Sequence, residues 1–174
     1  NMSNIKKINI TFEPEKDKEK QPKKRVVTNS VSWMDFENKY DKEKQLAYVF
    51  DILNKKHGKE TALITKEINK KISGYKNQDK IKKIYDANNF VTFENIIIKM
   101  CDCKLQCYYC KMQTNVLYEE VRDSNQWSLE RIENEYGHNT ENVVISCLKC
   151  NLTRKTMYHE RYLFTKEIKN IKKV

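Results

Sequence analysis

Cys107-Tyr108-Tyr109-Cys110 and Cys147-Leu148-Lys149-Cys150 are the two segments that organise this chain of 174 residues. Two residues between paired cysteines let a tight turn aim both thiolates at one ion, and two such pairs complete a tetrahedron. The repeated spacing therefore reads as a structural zinc site with Cys107, Cys110, Cys147 and Cys150 as its ligands. Four thiols packing merely as small apolar groups would need the same spacing to arise twice without cause. The 36 residues between the pairs exceed what a zinc ribbon needs and leave room for a strand, a loop and a second strand. Cys101 and Cys103 stand apart. A Cys-x-Cys spacing at the end of a helical pattern is poor for joining the same ion, so they read as free thiols.

Upstream of the first pair the pattern is helical. The whole chain has only three glycines and two prolines, which argues against a loop-rich all-β fold. Leu46, Val49, Phe50 and Leu53 recur at helical spacing, with Gly58 as a stop. Ile64, Ile68 and Ile72 mark a second helix ending before Gly74, and Ile81, Ile84 and Tyr85 mark a third. Thr92 caps a fourth that carries Phe93, Ile96, Ile97 and Met100. Residues 32–103 thus read as a helical module, preceded over 1–31 by a basic arm that includes Lys23, Lys24 and Arg25. Residues 104–174 form the cysteine-bearing part. There, alternation runs from Gln113 to Val121, a strand covers Asn142 to Ser146, and a helix runs from Leu148 to about Tyr162. Trp127 reads as a core anchor. The expected class is α+β.

Net charge is +10, from 34 Lys and Arg against 24 Asp and Glu, which favours a polyanionic partner, most often nucleic acid. Ten lysines face three acids between Leu53 and Lys83, and from Asn151 onward seven basic residues face two acidic ones. Such faces are either solvated or laid against a phosphate backbone. The 39% hydrophobic share implies a modest core, to which a metal crosslink adds meaningfully. No run of about 18 apolar residues occurs, and the N-terminus lacks an apolar signal core. The expectation is a soluble protein with no membrane partner, in an intracellular compartment where cysteines stay reduced.

Between the cysteine pairs the chain reads Gln126-Trp127-Ser128-Leu129-Glu130-Arg131-Ile132-Glu133-Asn134, then Gly137-His138, Asn142 and Cys150-Asn151. Over roughly residues 105–165 this resembles the HNH, or His-Me finger, endonucleases with a zinc-stapled ββα-metal motif. It is most similar to a branch in large DNA viruses. In that branch a Trp-x-Leu-Asp/Glu-Arg-Ile-Asp/Glu-Asn string precedes Gly-His and a Cys-x-x-Cys-Asn helix start. The resemblance implies a treble-clef-like HNH domain following the helical module and metal-dependent cleavage of double-stranded or branched DNA. If the chain is viral, it would reside in host cytoplasm, nucleus or virion. Glu130 would be a ligand for a catalytic divalent ion, Mg²⁺ or Mn²⁺, and Asn151 would be its partner ligand on the helix. Asn142 would shape the loop by hydrogen bonding. Lys149, Arg154, Lys155 and Arg161 would contact DNA from the final helix.

One position departs from the family. Arg131 stands where the family carries its general-base histidine, and an arginine stays protonated near neutrality. It is suited instead to holding phosphate through its planar fork. Three readings stay open here. His138 acts as a substitute base, Glu133 serves as base or second metal ligand, or the site no longer cuts. In the last case the chain is a catalytically inactive zinc-finger DNA-binding protein, such as a transcription or packaging factor. A zinc-stapled protein-interaction adaptor is a third class, disfavoured by the charge.

Overall fold

The computed structural model describes residues 41–118 and 122–170. The basic arm over 1–31, the start of the helical module at 32–40, and Val121 lie outside the described residues.

The first described helix, α1 (Lys42–Leu53), opens where Asp41 accepts the Lys44 N–H at 2.9 Å. The second, α2 (Lys59–Ile81), begins at Gly58, whose N–H donates to Thr61 Oγ1 at 2.9 Å. Gly58 therefore starts a helix, whereas the sequence pattern had it as the stop of the preceding one. A single α2 also replaces the two helices expected over this stretch. It runs straight through Gly74, where an added Cβ would meet nothing within 4 Å. An exposed glycine costs about 1 kcal/mol of helix propensity. Ile64, Ile68, Ile72 and Tyr75 lie along the core throughout, and that packing outweighs the local signal. Ile84 and Tyr85 fall in the turn beyond. The third helix, α3 (Phe93–Asp102), is capped as its sequence implies, with Thr92 Oγ1 accepting the Asn95 N–H at 3.2 Å.

Strands β1 (Trp127–Arg131) and β2 (Val143–Cys147) form an antiparallel hairpin in which Trp127 faces Cys147 and Arg131 faces Val143. A helix, α4 (Leu148–Arg154), follows directly, so the chain has a ββα arrangement carrying the four cysteines. Strand β1 alternates apolar Trp127 and Leu129 with polar Ser128 and Glu130, and all four are buried. The apolar pair joins the helical core, while Ser128 and Glu130 make their bonds to α4.

Two expectations fail locally. The alternation from Gln113 forms only isolated bridges, Gln106 with Gln113 and Asn115 with Gln126, among the described residues. The reason is Gln45 of α1, 1% exposed, whose Oε1 accepts the N–H groups of Val116 and Leu117 at 2.7 and 2.9 Å. Its Nε2 donates to Leu117 O at 3.2 Å, so one side chain takes the place of a partner strand. The final helix is also broken. It ends at Arg154, turns at Lys155 with φ of 53°, and restarts as α5 (His159–Asn170).

One apolar cluster crosses residue 103. Val49, Ile64, Ile68, Ile96 and Met100 from the helices join Leu105, Leu117, Trp127, Leu129, Val143 and Ile145 from the cysteine-bearing part. The two parts therefore share one core. Among the described residues, no helix is long and apolar enough to cross a membrane.

Candidate metal centre and active-site cleft

The four cysteines of the two pairs converge. Their sulfurs all lie within 4.8 Å of one another, with Cys110 and Cys147 at 3.8 Å. Zn–S bonds of about 2.3 Å in a tetrahedron imply S···S edges of about 3.8 Å, so the donor set fits one zinc ion. Backbone geometry prepares it. Lys111, with φ of 58°, closes the first turn through Lys111 N–H to Cys107 O at 3.0 Å. Cys147 caps α4, its sulfur accepting the Cys150 N–H at 3.4 Å. Hydrogen bonds from Cys147 and then Cys150 pull the Cys107 thiol far below its ordinary range, while the same contacts with Cys107 push the Cys147 and Cys150 thiols up. Cys107, Cys147 and Cys150 are buried, beneath Tyr109 and Tyr162. His159 at the start of α5 meets Tyr109 Oη through Nδ1 at 3.0 Å and so ties that helix to the centre. Cys101 and Cys103 are not members of the cluster and are free thiols.

Beside this centre lies a cleft of about 390 Å³. Glu130, Arg131, His138, Asn151 and Lys155 line it, and so do Tyr75 and Gln78 from α2 and Lys82 just past its end. Asn151 donates from Nδ2 to Ser128 Oγ at 3.3 Å and Leu129 O at 3.2 Å. A carbonyl can be satisfied only by the NH₂ end, so the amide oxygen is the other end, and no described residue donates a hydrogen bond to it. Glu130 is 5% exposed and ion-paired with Arg154. Burial pushes its carboxyl up to about 7 even though Arg154 and Arg131 favour the ionised form.

The remaining sequence candidates are distributed as follows. Arg131 turns Nη1 toward the loop, donating to Asn134 O and Tyr136 O, both at 2.9 Å. Asn142 stitches the same loop: Nδ2 donates to Glu133 O and Gly137 O at 3.0 Å, and Oδ1 accepts the Glu133 N–H at 2.9 Å. Glu133 is exposed and borders a separate depression with Asn88, Tyr136 and Asn139 rather than the cleft. Lys149, Lys155 and Arg161 are exposed. Arg154 corrects the expectation of a DNA-facing side chain. It is 1% exposed, and besides Glu130 it donates to Arg131 O at 2.8 Å and Ile132 O at 2.7 Å.

His138 is 5% exposed, buried in place rather than solvated in a loop. Its Nδ1 lies 2.7 Å from Asp79 Oδ1, and its backbone N–H donates to Asp79 Oδ2 at 2.6 Å. The ring stacks on Tyr75 at 4.6 Å between centroids. Burial lowers its basicity below the ordinary histidine value, and the opposing pull of Asp79 does not overcome that. The sequence reading missed Asp79, Tyr75 and Lys82. A weak signal existed for Asp79, the lone acid of the lysine-rich stretch between Glu67 and Asp86. Comparison of the chain with protein-family models, curated proteins and solved structures returned no match.

Proposed function

We propose that the chain is a metal-dependent DNA endonuclease of HNH-like type, folded around a structural zinc ion held by Cys107, Cys110, Cys147 and Cys150. The observation that carries this reading is the convergence of Glu130, Asn151, Arg131 and His138 on one cleft of a ββα frame. Glu130 and the Asn151 amide oxygen would hold Mg²⁺ or Mn²⁺. Two protein ligands suit such an ion, which keeps several waters and takes phosphate oxygens as further ligands. When bound, that ion supplies Lewis-acid stabilisation of the phosphate and of the leaving oxygen.

The chain's own residues do the rest. His138 accepts a proton from the attacking water, which Arg131 in the family's base position cannot do. Water oxygen bonds to phosphorus, the bond from phosphorus to the leaving sugar oxygen breaks, and solvent protonates that oxygen. Lys82 and Lys155 at the cleft, with Lys149 and Arg161 nearby in sequence, supply the positive charge that attracts the DNA backbone.

The test is cleavage of plasmid and branched DNA across a titration of Mg²⁺ or Mn²⁺, comparing the wild type with Glu130→Gln and Asn151→Ala. Cleavage that persists in both variants would sink the assignment of the site. A second reading is favoured by one observation: Arg154 already neutralises Glu130, which weakens a divalent site. On that reading the chain binds DNA without cutting it, and calorimetry detects zinc but no second divalent ion.

A further inference from the structure

Asp79 sits near the end of α2, is 0% exposed, and gives both carboxylate oxygens to one residue 59 positions away. Burying a carboxylate is expensive unless its oxygens are well satisfied. If the contact served only to hold the loop, a neutral acceptor would do so more cheaply. A carboxylate adds something a neutral group does not. In its ionised form it only accepts, so a nitrogen hydrogen-bonded to it carries the proton. Nδ1 of His138 is then the N–H, and Nε2 keeps its lone pair. No described residue offers Nε2 a hydrogen-bond partner, and His138 is among the residues that line the cleft.

The surrounding contacts leave the ring little freedom. Tyr75 lies against its face. His138 O accepts the Val91 N–H at 2.9 Å, and Thr140 N–H donates to Asn89 O at 2.9 Å, so the loop is sewn to the segment before α3. Gly137 makes the approach possible, since a Cβ there would lie 2.6 Å from Ile84 O and 2.8 Å from Asp79 Oδ2.

We propose that Asp79 is the positioning residue of a carboxylate–histidine dyad that fixes His138 as the Nδ1-protonated tautomer and presents Nε2 to the cleft as proton acceptor. The helical module thereby supplies half of the base. This inference rests on reading the cleft as a nuclease site. In the reaction, the proton leaving water goes to Nε2, and the carboxylate of Asp79 stabilises the imidazolium until solvent removes that proton. Asp79→Asn keeps an oxygen for the His138 N–H but turns an NH₂ toward Nδ1. The proton then moves to Nε2, and the acceptor is lost.

The experiment uses the zinc-loaded full chain. Multiple-bond ¹⁵N–¹H spectra of the imidazoles, assigned with His138→Gln, are expected to show His138 as the Nδ1–H tautomer and Asp79→Asn as the Nε2–H tautomer. Cleavage by Asp79→Asn is expected to fall by about 10²–10⁴-fold in kcat, the size of a general-base contribution, with KM for DNA unchanged. An Nε2–H tautomer in the wild type overturns the proposal, and that measurement does not depend on whether Asp79→Asn folds. So does an Asp79→Asn variant that keeps kcat, or that loses activity through KM alone. A wild type that cuts no DNA with any divalent ion overturns the nuclease reading instead, while the tautomer spectra still decide the dyad.

Discussion

Arg154 and Glu130 form a buried ion pair across the interface between α4 and β1, at 1% and 5% exposure. The guanidinium also satisfies two carbonyls at the end of the strand, so a side chain expected on the DNA-facing surface is a fastener of the ββα frame. Removing one partner of such a pair leaves an uncompensated buried charge, which costs roughly 3–5 kcal/mol. Arg154→Ala is expected to lose about that much in denaturant unfolding of the zinc-loaded protein. Lys155→Ala and Arg161→Ala, at exposed positions, should stay within about 0.5 kcal/mol of wild type. Each of these two should instead flatten the salt dependence of DNA binding by about one unit of slope.

The same pair decides which variant tests the metal site. Glu130→Ala strands Arg154 and confuses lost catalysis with lost folding. Glu130→Gln keeps an oxygen for the guanidinium and removes the ligand charge. It leaves the guanidinium hydrogen-bonded but without a counter-charge, so it should lose less stability than Glu130→Ala, while cleavage should fall by more than about 100-fold, beyond what loss of a group that only orients a metal ligand costs. Wild-type cleavage rates in Glu130→Gln would exclude Glu130 as a ligand.

Stripping zinc should cost several kcal/mol of stability, because the two cysteine pairs tie the turn at 107–110 to the start of α4. One equivalent of zinc should be released per chain, and Cys147→Ser should reproduce the loss. Cys103→Ser should retain the full equivalent, since its thiol bonds Met100 O at 3.5 Å and stands outside the cluster. Colorimetric zinc release alongside denaturant titration measures both.

His138 gives the fold a pH dependence with a definite sign. Its folded value is lowered from 6.5, chiefly by burial, so below 6.5 the unfolded chain binds more protons than the folded one. Its stabilising contribution is complete above 6.5 and is lost as pH falls from there toward the folded value. The slope from this one group is at most about 1.4 kcal/mol per pH unit. Unfolding at pH 7.5 and 5.5 in excess zinc should show a steeper loss for wild type than for His138→Gln. Equal slopes would place the imidazole in solvent.

Gly137→Ala should destabilise by about 1–3 kcal/mol through overpacking against Ile84 and Asp79. Gly74→Ala should be neutral or stabilising by up to about 1 kcal/mol, since nothing lies near the added methyl. Thermal melts of the two variants side by side provide the comparison.

What the sequence conveyed was local or repetitive. Two Cys-x-x-Cys spacings, the Thr92 cap and the apolar run of β2 each carry their signal within a few residues. What it withheld depends on partners far along the chain. Gly74 reads as a stop until the core along Ile64, Ile68 and Ile72 is known to continue through Tyr75. Val116 and Leu117 read as a strand until Gln45 is found occupying their backbone. Lys155 carries no glycine or proline signal, yet the chain turns there. For the cleft, Glu130, Arg131, His138 and Asn151 were readable because a resemblance pointed to them. Asp79 was not, because no period or motif links it to a histidine 59 residues away.

Gln45 has a further consequence, for solubility during folding. Backbone donors and acceptors along an apolar extended segment are a template on which another chain can add a strand. At Val116 and Leu117 that template is filled from within the molecule, by a side chain on the first described helix. Docking of α1 thus satisfies backbone groups that would otherwise be open to another chain, as well as completing the core, and a chain lacking that glutamine would expose them.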